Sequence, residues 1–134
     1  MLKRFVNVAI ATRDIEDTLR LYEDLFGLKA SERQTIADVG IKTAMVPVGD
    51  FSIELMEPLE TEKVLSKFLD AKGEGIYRLA FEVEDMEAAL RHLDEKGVPY
   101  NTVEMSLDTG STRVAFIHPR STRGVMIELV PASR

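Results

Sequence analysis

The chain has 134 residues, a formal net charge of −6 and no cysteine. With 45% apolar and 30% charged residues it has the composition of a globular domain. The lack of Cys excludes disulfides, a thiolate nucleophile and Cys-ligated metal centres. The acidic balance and the scattered Lys and Arg argue against a nucleic-acid partner. No apolar run approaches the roughly 20 residues that span a bilayer, and no signal-peptide layout opens the chain, so we expect a cytoplasmic protein without membrane contact.

The first half of the chain has a β-α-β-β-β pattern. Alternating apolar residues at 5–11 predict a half-buried strand. Asp14 is a suitable N-cap for the helix that follows, and Gly27 is placed to end it. Three further strands are then predicted, at 28–36, 41–48 and 51–56. This half therefore ends near Pro58 as a complete module.

The second half repeats this order after a linking helix. That helix is predicted at 60–72 and ends at Gly73. Asp85 and Gly97 bound the next helix as Asp14 and Gly27 bound the first. The remaining strands are predicted at 76–83, 98–105, 112–118 and 124–130, with a turn at 107–110. We therefore expect a first module at 1–58, a linking helix at 59–75 and a second module at 76–134, together forming one compact domain.

Matched residues support a duplication. Asn7 precedes Arg78 by 71 residues, as Asp14 precedes Asp85, and Glu54 precedes Glu128 by 74 residues in similar segments. A chain that repeats itself once over about half its length is a duplicated module. The predicted fold class is α+β, with two β-α-β-β-β modules that form a concave, cupped mixed sheet and carry their helices on the outer face.

Four polar residues share the predicted inner face. Side chains alternate along a strand, so packing the apolar face of each strand on its helix puts Asn7, Glu54, Arg78 and Glu128 on the other face. Two carboxylates removed from water need a cation. Arg78 is the cation that the sequence offers, and Glu82 lies on the same face of its strand.

Three segments, 46–58, 73–83 and 116–129, resemble the vicinal oxygen chelate (glyoxalase/bleomycin resistance/dioxygenase) superfamily, nearest to its methylmalonyl-CoA epimerases. The resemblance implies one divalent metal, held by a His on the first strand of each half and by a Gln or Glu on the last. The acidic positions are kept as Glu54 and Glu128, but the His positions are Asn7 and Arg78. Asn is a poor ligand for a transition metal, and a guanidinium has no lone pair to give. We therefore expect no cofactor, and a retained metal would have only Glu54 and Glu128.

The resemblance also implies chemistry beside the carbonyl of a CoA thioester, where carboxylates move a proton. It places the family's acid near Asp38 and leaves Arg78 to replace the metal cation. The predicted catalytic residues are Glu54, Glu128, Arg78 and Asp38. The predicted pocket residues are Asn7, Glu82, Met56 and Met126. The turn at 121–124 resembles the epimerase loop, and contact with a CoA-type tail and a plain hairpin both stay open.

Two functions remain open. In the first, the protein is an epimerase or isomerase that acts on a CoA thioester or small organic acid without a metal. In the second, it is a non-catalytic binding protein of the same superfamily, of the resistance type or a degenerate enzyme, in which Arg78 forms an internal ion-pair cluster with Glu54 and Glu128. The sequence does not decide whether the protein is an enzyme. The resemblance implies a homodimer.

Overall fold

The computed structural model describes residues 1–59, 63–107 and 110–132, without the side chains of residues 106 and 107. The strands are β1 (Leu2–Ala11), β2 (Glu32–Ile36), β3 (Ile41–Val48), β4 (Phe51–Pro58), β5 (Gly75–Val83), β6 (Asn101–Leu107), β7 (Gly110–Ile117) and β8 (Ile127–Pro131). The helices are α1 (Ile15–Phe26), α2 (Val64–Lys72) and α3 (Met86–Glu95). None of the helices in the described parts of the chain is both long and apolar enough to cross a membrane.

Contacts divide the chain into two compact units. We call Asn7–Tyr77 the N-terminal unit, and Met1–Val6 with Arg78–Arg134 the C-terminal unit. Strand β1 contributes to both, because the division falls between Val6 and Asn7. The module boundaries at residues 58 and 75 remain a prediction from the sequence.

In the N-terminal unit the strand order is β2-β3-β4-β1. Strands β1 and β4 are parallel, and the other pairs are antiparallel. Helix α1 begins as predicted, because the Asp14 carboxylate accepts a hydrogen bond from the Asp17 N–H at 3.1 Å. It ends at Gly27, whose φ of 70° is the left-handed conformation that favours glycine.

The sheet of the N-terminal unit is packed on both faces. The α1 cluster contains the buried residues Ile15, Leu19, Ala44, Val46 and Leu55. The α2 cluster contains Ala9, Ala11, Ile36, Ile41, Met56, Leu65 and Leu69. Neighbours along β4, Leu55 and Met56, belong to different clusters, so α1 and α2 lie on opposite faces. The sequence predicted helices on the outer face only, and it did not reveal this second packing.

In the C-terminal unit the strand order is β5-β8-β7-β6, and the first residues of β1 lie beside β5. Helix α3 is capped by Asp85, whose carboxylate accepts from the Ala88 N–H at 3.1 Å. Its apolar side packs on one face of the sheet, in what we call the α3 cluster: Val83, Ala89, Leu90, Leu93, Ala115, Ile117 and Leu129. As predicted, Gly97 follows this helix with a φ of 70°.

Strand register confirms the duplication. Ala9 pairs with Glu54 across β1 and β4, and Ala80 pairs with Glu128 across β5 and β8. The antiparallel neighbours also correspond, because Glu54 lies opposite Met45 and Glu128 lies opposite Phe116. Each member of the second set of partners follows its counterpart by 71 residues, so both carboxylates occupy one position of one repeated frame.

The predicted strand boundaries are wrong at three places for local reasons. Strand β2 starts at Glu32 rather than 28, because Leu28 and Ala30 pack into the α1 cluster after the turn at Gly27. Strand β6 starts at Asn101 rather than 98, because the Val98 N–H still bonds the Leu93 carbonyl at 2.9 Å.

At the third place, β8 starts at Ile127 rather than at 124, because residues 118–124 form a hydrogen-bonded turn. The start of the predicted linking helix, 60–62, and the centre of the predicted turn, 108–109, lie outside the described residues.

Candidate active site

A buried ion pair lies on the face of the C-terminal unit that α3 does not cover. Arg78, Ala80 and Glu82 alternate with Phe81 and Val83, which pack in or against the α3 cluster. Glu128 lies opposite Ala80 on β8. The Arg78 Nε atom is 3.1 Å from the Glu128 Oε1 atom, and each side chain is 5% exposed. The duplicated register thus brings two predicted catalytic residues into contact.

The burial of this pair determines its energetic character. Two charges have left water, and their attraction compensates for that loss only while both are present. A guanidinium carries five N–H donors, and the contact printed by Nε uses one of them. Arg78 and Glu128 also have further interactions within the structure. The arrangement provides a fixed positive charge in a poorly hydrated part of the sheet.

Glu82 is held by a different set of cations. Its carboxylate is 2.5 Å from the Arg4 Nε atom and 3.7 Å from the Lys3 Nζ atom. The carboxylate itself is buried, whereas about half of each cationic side chain is exposed. The sequence assigned Glu82 to a pocket and did not identify Lys3 and Arg4. The signal that could have found them is the basic pair immediately before the predicted first strand, which the structure includes in β1.

The N-terminal unit holds the other predicted site residues in different surroundings. Asn7 and Glu54 are buried, and both have interaction partners. Met56 packs in the α2 cluster, so its pocket role remains a prediction. Asp38 lies exposed in a short 3₁₀ turn, Ala37–Val39, that ends at Gly40. The structure therefore gives Asp38 an accessible carboxylate and gives Glu54 a buried one.

Met126, the last predicted pocket residue, is partly buried in the C-terminal unit just before β8. Its carbonyl accepts a hydrogen bond from the Leu79 N–H at 3.0 Å, which fixes this backbone beside Arg78. Both histidines are exposed. His118 Nδ1 accepts from the Arg120 N–H at 3.1 Å, so His118 is a turn residue in this structure.

A carboxylate with a perturbed pKa lies at the β1–α1 junction of the N-terminal unit. Glu74 Oε2 accepts from the Arg13 N–H and from the Thr12 hydroxyl, each at 2.9 Å. These two hydrogen bonds, the Arg13 one being the larger effect, hold the pKa of Glu74 below its ordinary value. The Arg13 guanidinium donates to the Leu69 carbonyl at 3.1 Å. Residues at the end of α2 are thereby tied to the start of α1.

The donor set does not fit the divalent metal that the resemblance implies. Among the residues that the structure describes, no three His, Cys, Asp or Glu side chains are grouped as metal ligands. At the equivalent of one His position, Arg78 brings a positive charge to within 3.1 Å of a carboxylate oxygen that a metal would need. A guanidinium cannot donate a lone pair and would repel the ion. The absence of a metal nevertheless stays a prediction.

Comparisons with known proteins agree with this geometry. Residues 7–116 match the model of the Glyoxalase/Bleomycin resistance protein/Dioxygenase superfamily. The human mitochondrial methylmalonyl-CoA epimerase is 30% identical over 132 residues, covering 98% of this chain and 75% of that protein.

Two solved structures are similar along the whole chain. The Mycobacterium tuberculosis methylmalonyl-CoA epimerase has a TM-score of 0.87 and 33% identity, covering 99% of this chain and 90% of that one. A variant of the Streptomyces coelicolor methylmalonyl-CoA epimerase, in complex with 2-nitronate-propionyl-CoA, has a TM-score of 0.89 and 27% identity over the full length of both chains. The chain therefore belongs to the Glyoxalase/Bleomycin resistance protein/Dioxygenase superfamily, with methylmalonyl-CoA epimerases among its relatives.

Proposed function

We propose that this protein is a methylmalonyl-CoA-epimerase-like enzyme that moves the proton beside the carbonyl of a CoA thioester, or of a related small organic acid, without a divalent metal. Two facts support the proposal. Its relatives with about 30% identity over nearly the whole chain are methylmalonyl-CoA epimerases. One of the similar structures holds a CoA thioester analogue, 2-nitronate-propionyl-CoA.

The observation that carries the proposal is the buried Arg78–Glu128 pair. Proton removal beside a thioester turns the carbonyl oxygen into an enolate oxygen that bears negative charge. Fixed donors and positive charge in a poorly hydrated site stabilise such an oxygen more than water does. Arg78 has both, and Glu128 orients its guanidinium at 3.1 Å. The proposed role of Arg78 is to hold the enolate oxygen, the role that the resemblance gives to a metal.

Proton transfer also requires carboxylates. A carboxylate takes the α-proton, the C–H electron pair becomes the C=C bond of the enolate, and the carbonyl π pair moves onto oxygen. Return of a proton to the opposite face of the α-carbon inverts its configuration. Glu54, Glu128 and Asp38 are the candidate acids and bases. Because Glu128 is engaged by Arg78, we propose Glu54 and Asp38 as the first residues to test as bases.

The test is deuterium uptake from heavy water. The protein is dialysed against a chelator and incubated with methylmalonyl-CoA in D₂O, and deuterium at the α-carbon is followed by mass spectrometry. We expect uptake that the chelator does not abolish, and a loss of at least about 100-fold in Arg78→Ala, in line with removal of one donor to an oxyanion. Arg91→Ala, which removes an exposed arginine from α3, is the matched control and should retain the rate. No uptake by the natural protein would refute the proposal.

A second function is favoured by a different property of the same pair. Glu128 already balances the charge of Arg78, which is the expected arrangement of a purely structural ion pair. In that case the protein binds a small molecule without turnover. Thermal-shift screening with CoA esters, organic acids and aromatic antibiotics tests this function. Stabilisation by a ligand that shows no deuterium uptake would support binding alone, and no stabilising ligand would count against it.

We further propose that the protein is a homodimer, as the resemblance implies. Light scattering after size exclusion measures the mass directly. A monomer has a mass of 15.0 kDa, so a dimer doubles this value. A monomer at micromolar concentration would refute this part of the proposal.

A further inference from the structure

We infer that the turn from His118 to Gly124, called the cationic turn below, binds a phosphate group of the ligand. The inference rests on the proposed function in one respect, because a CoA thioester is the ligand that would bring the phosphate. It adds a binding site away from the reacting carbon. The argument uses the charge, ion pairing, backbone hydrogen bonds and position of this turn.

The charge of the cationic turn opposes that of the whole protein. The chain carries a net charge of −6, but this segment contains His118, Arg120 and Arg123 and no acidic residue. Arg120 and Arg123 are both exposed. Six of the nine arginines in the described parts of the chain form an ion pair with a carboxylate, whereas these two do not. An anionic ligand can therefore approach them without displacing a protein carboxylate.

The backbone of the turn is fixed by its own hydrogen bonds. The N–H groups of Arg120, Ser121, Thr122 and Gly124 donate to His118 or to Pro119, at 2.8 to 3.1 Å. The Thr122 hydroxyl donates to the Val125 carbonyl. Because these backbone donors are already used, a bound anion must be recognised by side chains, namely the two guanidinium groups and the Ser121 hydroxyl.

Arg123 adopts a left-handed backbone conformation, with a φ of 57°, which is uncommon for a residue other than glycine. The hydrogen bonds of the turn hold it there, so the starting point of this side chain is determined before any ligand binds. Preorganised side chains lose less entropy when they bind.

Phosphate is the anion that matches these donors. A guanidinium presents a planar set of N–H groups that bonds two phosphate oxygens at once, and each such charge-assisted bond is stronger than a neutral one. Two guanidinium groups within four residues also repel each other until an anion with multiple charges lies between them. A nucleic acid fits poorly, because its repeated phosphates need a basic surface larger than one turn.

The position of the turn connects it to the Arg78–Glu128 pair. Both belong to the C-terminal unit, and Val125 and Met126 lead directly from the turn into β8. The Met126 carbonyl bonds the Leu79 N–H at 3.0 Å, beside Arg78. A CoA thioester carries its phosphates at the end remote from the reacting carbon. A thioester held at Arg78 therefore needs a separate site for them, and the cationic turn offers one in the same unit.

The experiment measures affinity by calorimetry, without turnover. The ligands are CoA, dephospho-CoA, phosphate-free pantetheine and inorganic pyrophosphate. In the double variant Arg120→Ala, Arg123→Ala we expect CoA to bind at least about 10-fold more weakly, since each charge-assisted bond contributes roughly 1.5–3 kcal/mol. Pantetheine should bind the variant and the natural protein equally. Added salt should weaken CoA binding to the natural protein more than to the variant.

Arg91→Ala is the matched control, because Arg91 is exposed in the same unit and lies on α3, away from the turn. Equal CoA affinity in the double variant and the natural protein would overturn the inference, and so would an equal loss in Arg91→Ala. Binding of pyrophosphate without binding of CoA would also overturn it, since the turn would then hold a free ion only.

The two proposals fail in different ways. If CoA binding depends on the turn but no deuterium is taken up, the epimerase function fails and the phosphate site stands. If deuterium uptake occurs and its KM for methylmalonyl-CoA is unchanged in the double variant, the phosphate site fails. A raised KM with an unchanged kcat would support both, because the turn contacts the ligand far from the reacting carbon.

Discussion

The two units place different side chains on the same backbone frame. Glu54 and Glu128 occupy the same register position, but the residue that lies 71 positions apart on the first strand is Asn7 in one unit and Arg78 in the other. At the end of that strand, the buried Thr12 of the N-terminal unit corresponds to the buried Val83 of the C-terminal unit. The frame is therefore set by features that both copies keep, and the chemistry by the few positions where they differ.

This difference shows which changes a duplicated fold tolerates. Alternating apolar residues and an Asp before each helix are present in both copies, and they determine strands, caps and register. A polar residue on the uncovered face has no such constraint, so it can change from an amide to a guanidinium if a carboxylate lies beside it. Arg78 has Glu128 at this distance.

The largest effect is expected from Arg78→Ala. The change leaves Glu128 buried without its guanidinium, and loss of one partner of a buried pair costs about 3–5 kcal/mol. Asn7→Ala, at the equivalent position, removes a neutral group and should cost only about 1–3 kcal/mol. Urea denaturation of both variants measures the difference.

The double variant Arg78→Met, Glu128→Leu is the control for this prediction. It removes both charges and keeps similar volumes, so much of the stability should return. A cost below about 1 kcal/mol for Arg78→Ala would show that water or another cation compensates Glu128. The asymmetry between the two units would then be one of sequence only.

Exchange of Thr12 and Val83 should have the next largest effect. Thr12→Val removes a buried hydroxyl that bonds Glu74 at 2.9 Å and Thr18 at 2.7 Å, and we expect a loss of about 1–3 kcal/mol. Val83→Thr places a hydroxyl in the α3 cluster, at a site with 0% exposure, and should cost a similar amount. Thermal unfolding of both single variants checks this. A neutral Val83→Thr would mean that the polar junction is not particular to the N-terminal unit.

The helix caps should have equal effects in the two units. Asp14→Ala and Asp85→Ala each remove one carboxylate that accepts a backbone N–H at 3.1 Å. We expect each to cost about 1 kcal/mol, and the matched changes to Asn to cost less. Chemical denaturation of the four variants compares them. Unequal losses would show that one helix depends on its cap more than the other.

The smallest effect is expected for Glu74→Gln, and it should depend on pH. The folded-state pKa of Glu74 lies below its ordinary value of 4.5, so the charged form stabilises the fold. This contribution is fully present above pH 4.5 and is lost as the pH falls through the lower folded value. Because Glu74 is exposed, we expect a difference below about 1 kcal/mol at pH 7.

Stability curves of both proteins between pH 2 and 8 provide the measurement. The difference between the natural protein and Glu74→Gln should shrink at acid pH. A difference that stays constant would show that the hydrogen bonds made by Glu74 do not depend on its charge.

Local rules predicted the elements well where one segment suffices. Asp14 and Gly27 bound α1 as predicted, and the repeat placed Glu54 and Glu128 in one register. Contacts between distant segments were less accessible. The bond from Thr12 to Glu74 spans 62 residues, and no local pattern announces it. The packing of α2 opposite to α1 depends on which face of β4 it meets, which periodicity alone does not specify.

The same limit applies to the site. The alternation of side chains was sufficient to put Arg78 and Glu128 on one face, and the structure gives their contact. The cations of Glu82 come from Lys3 and Arg4, which are 79 and 78 positions away in the chain. Only the pairing of β1 with β5 makes them neighbours. Sequence periodicity gives the face of a residue but not its partner.

Strand β1 has a consequence for the order in which the chain can fold. Its first residues belong with Arg78–Arg134, and its later residues belong with Asn7–Tyr77. During synthesis the segment that is made first must therefore wait until the last half has emerged, and closing that large gap carries an entropic cost that slows assembly. The N-terminal unit can form early, whereas the C-terminal unit, with its buried Arg78–Glu128 pair, is completed only when the ribosome has released the whole chain.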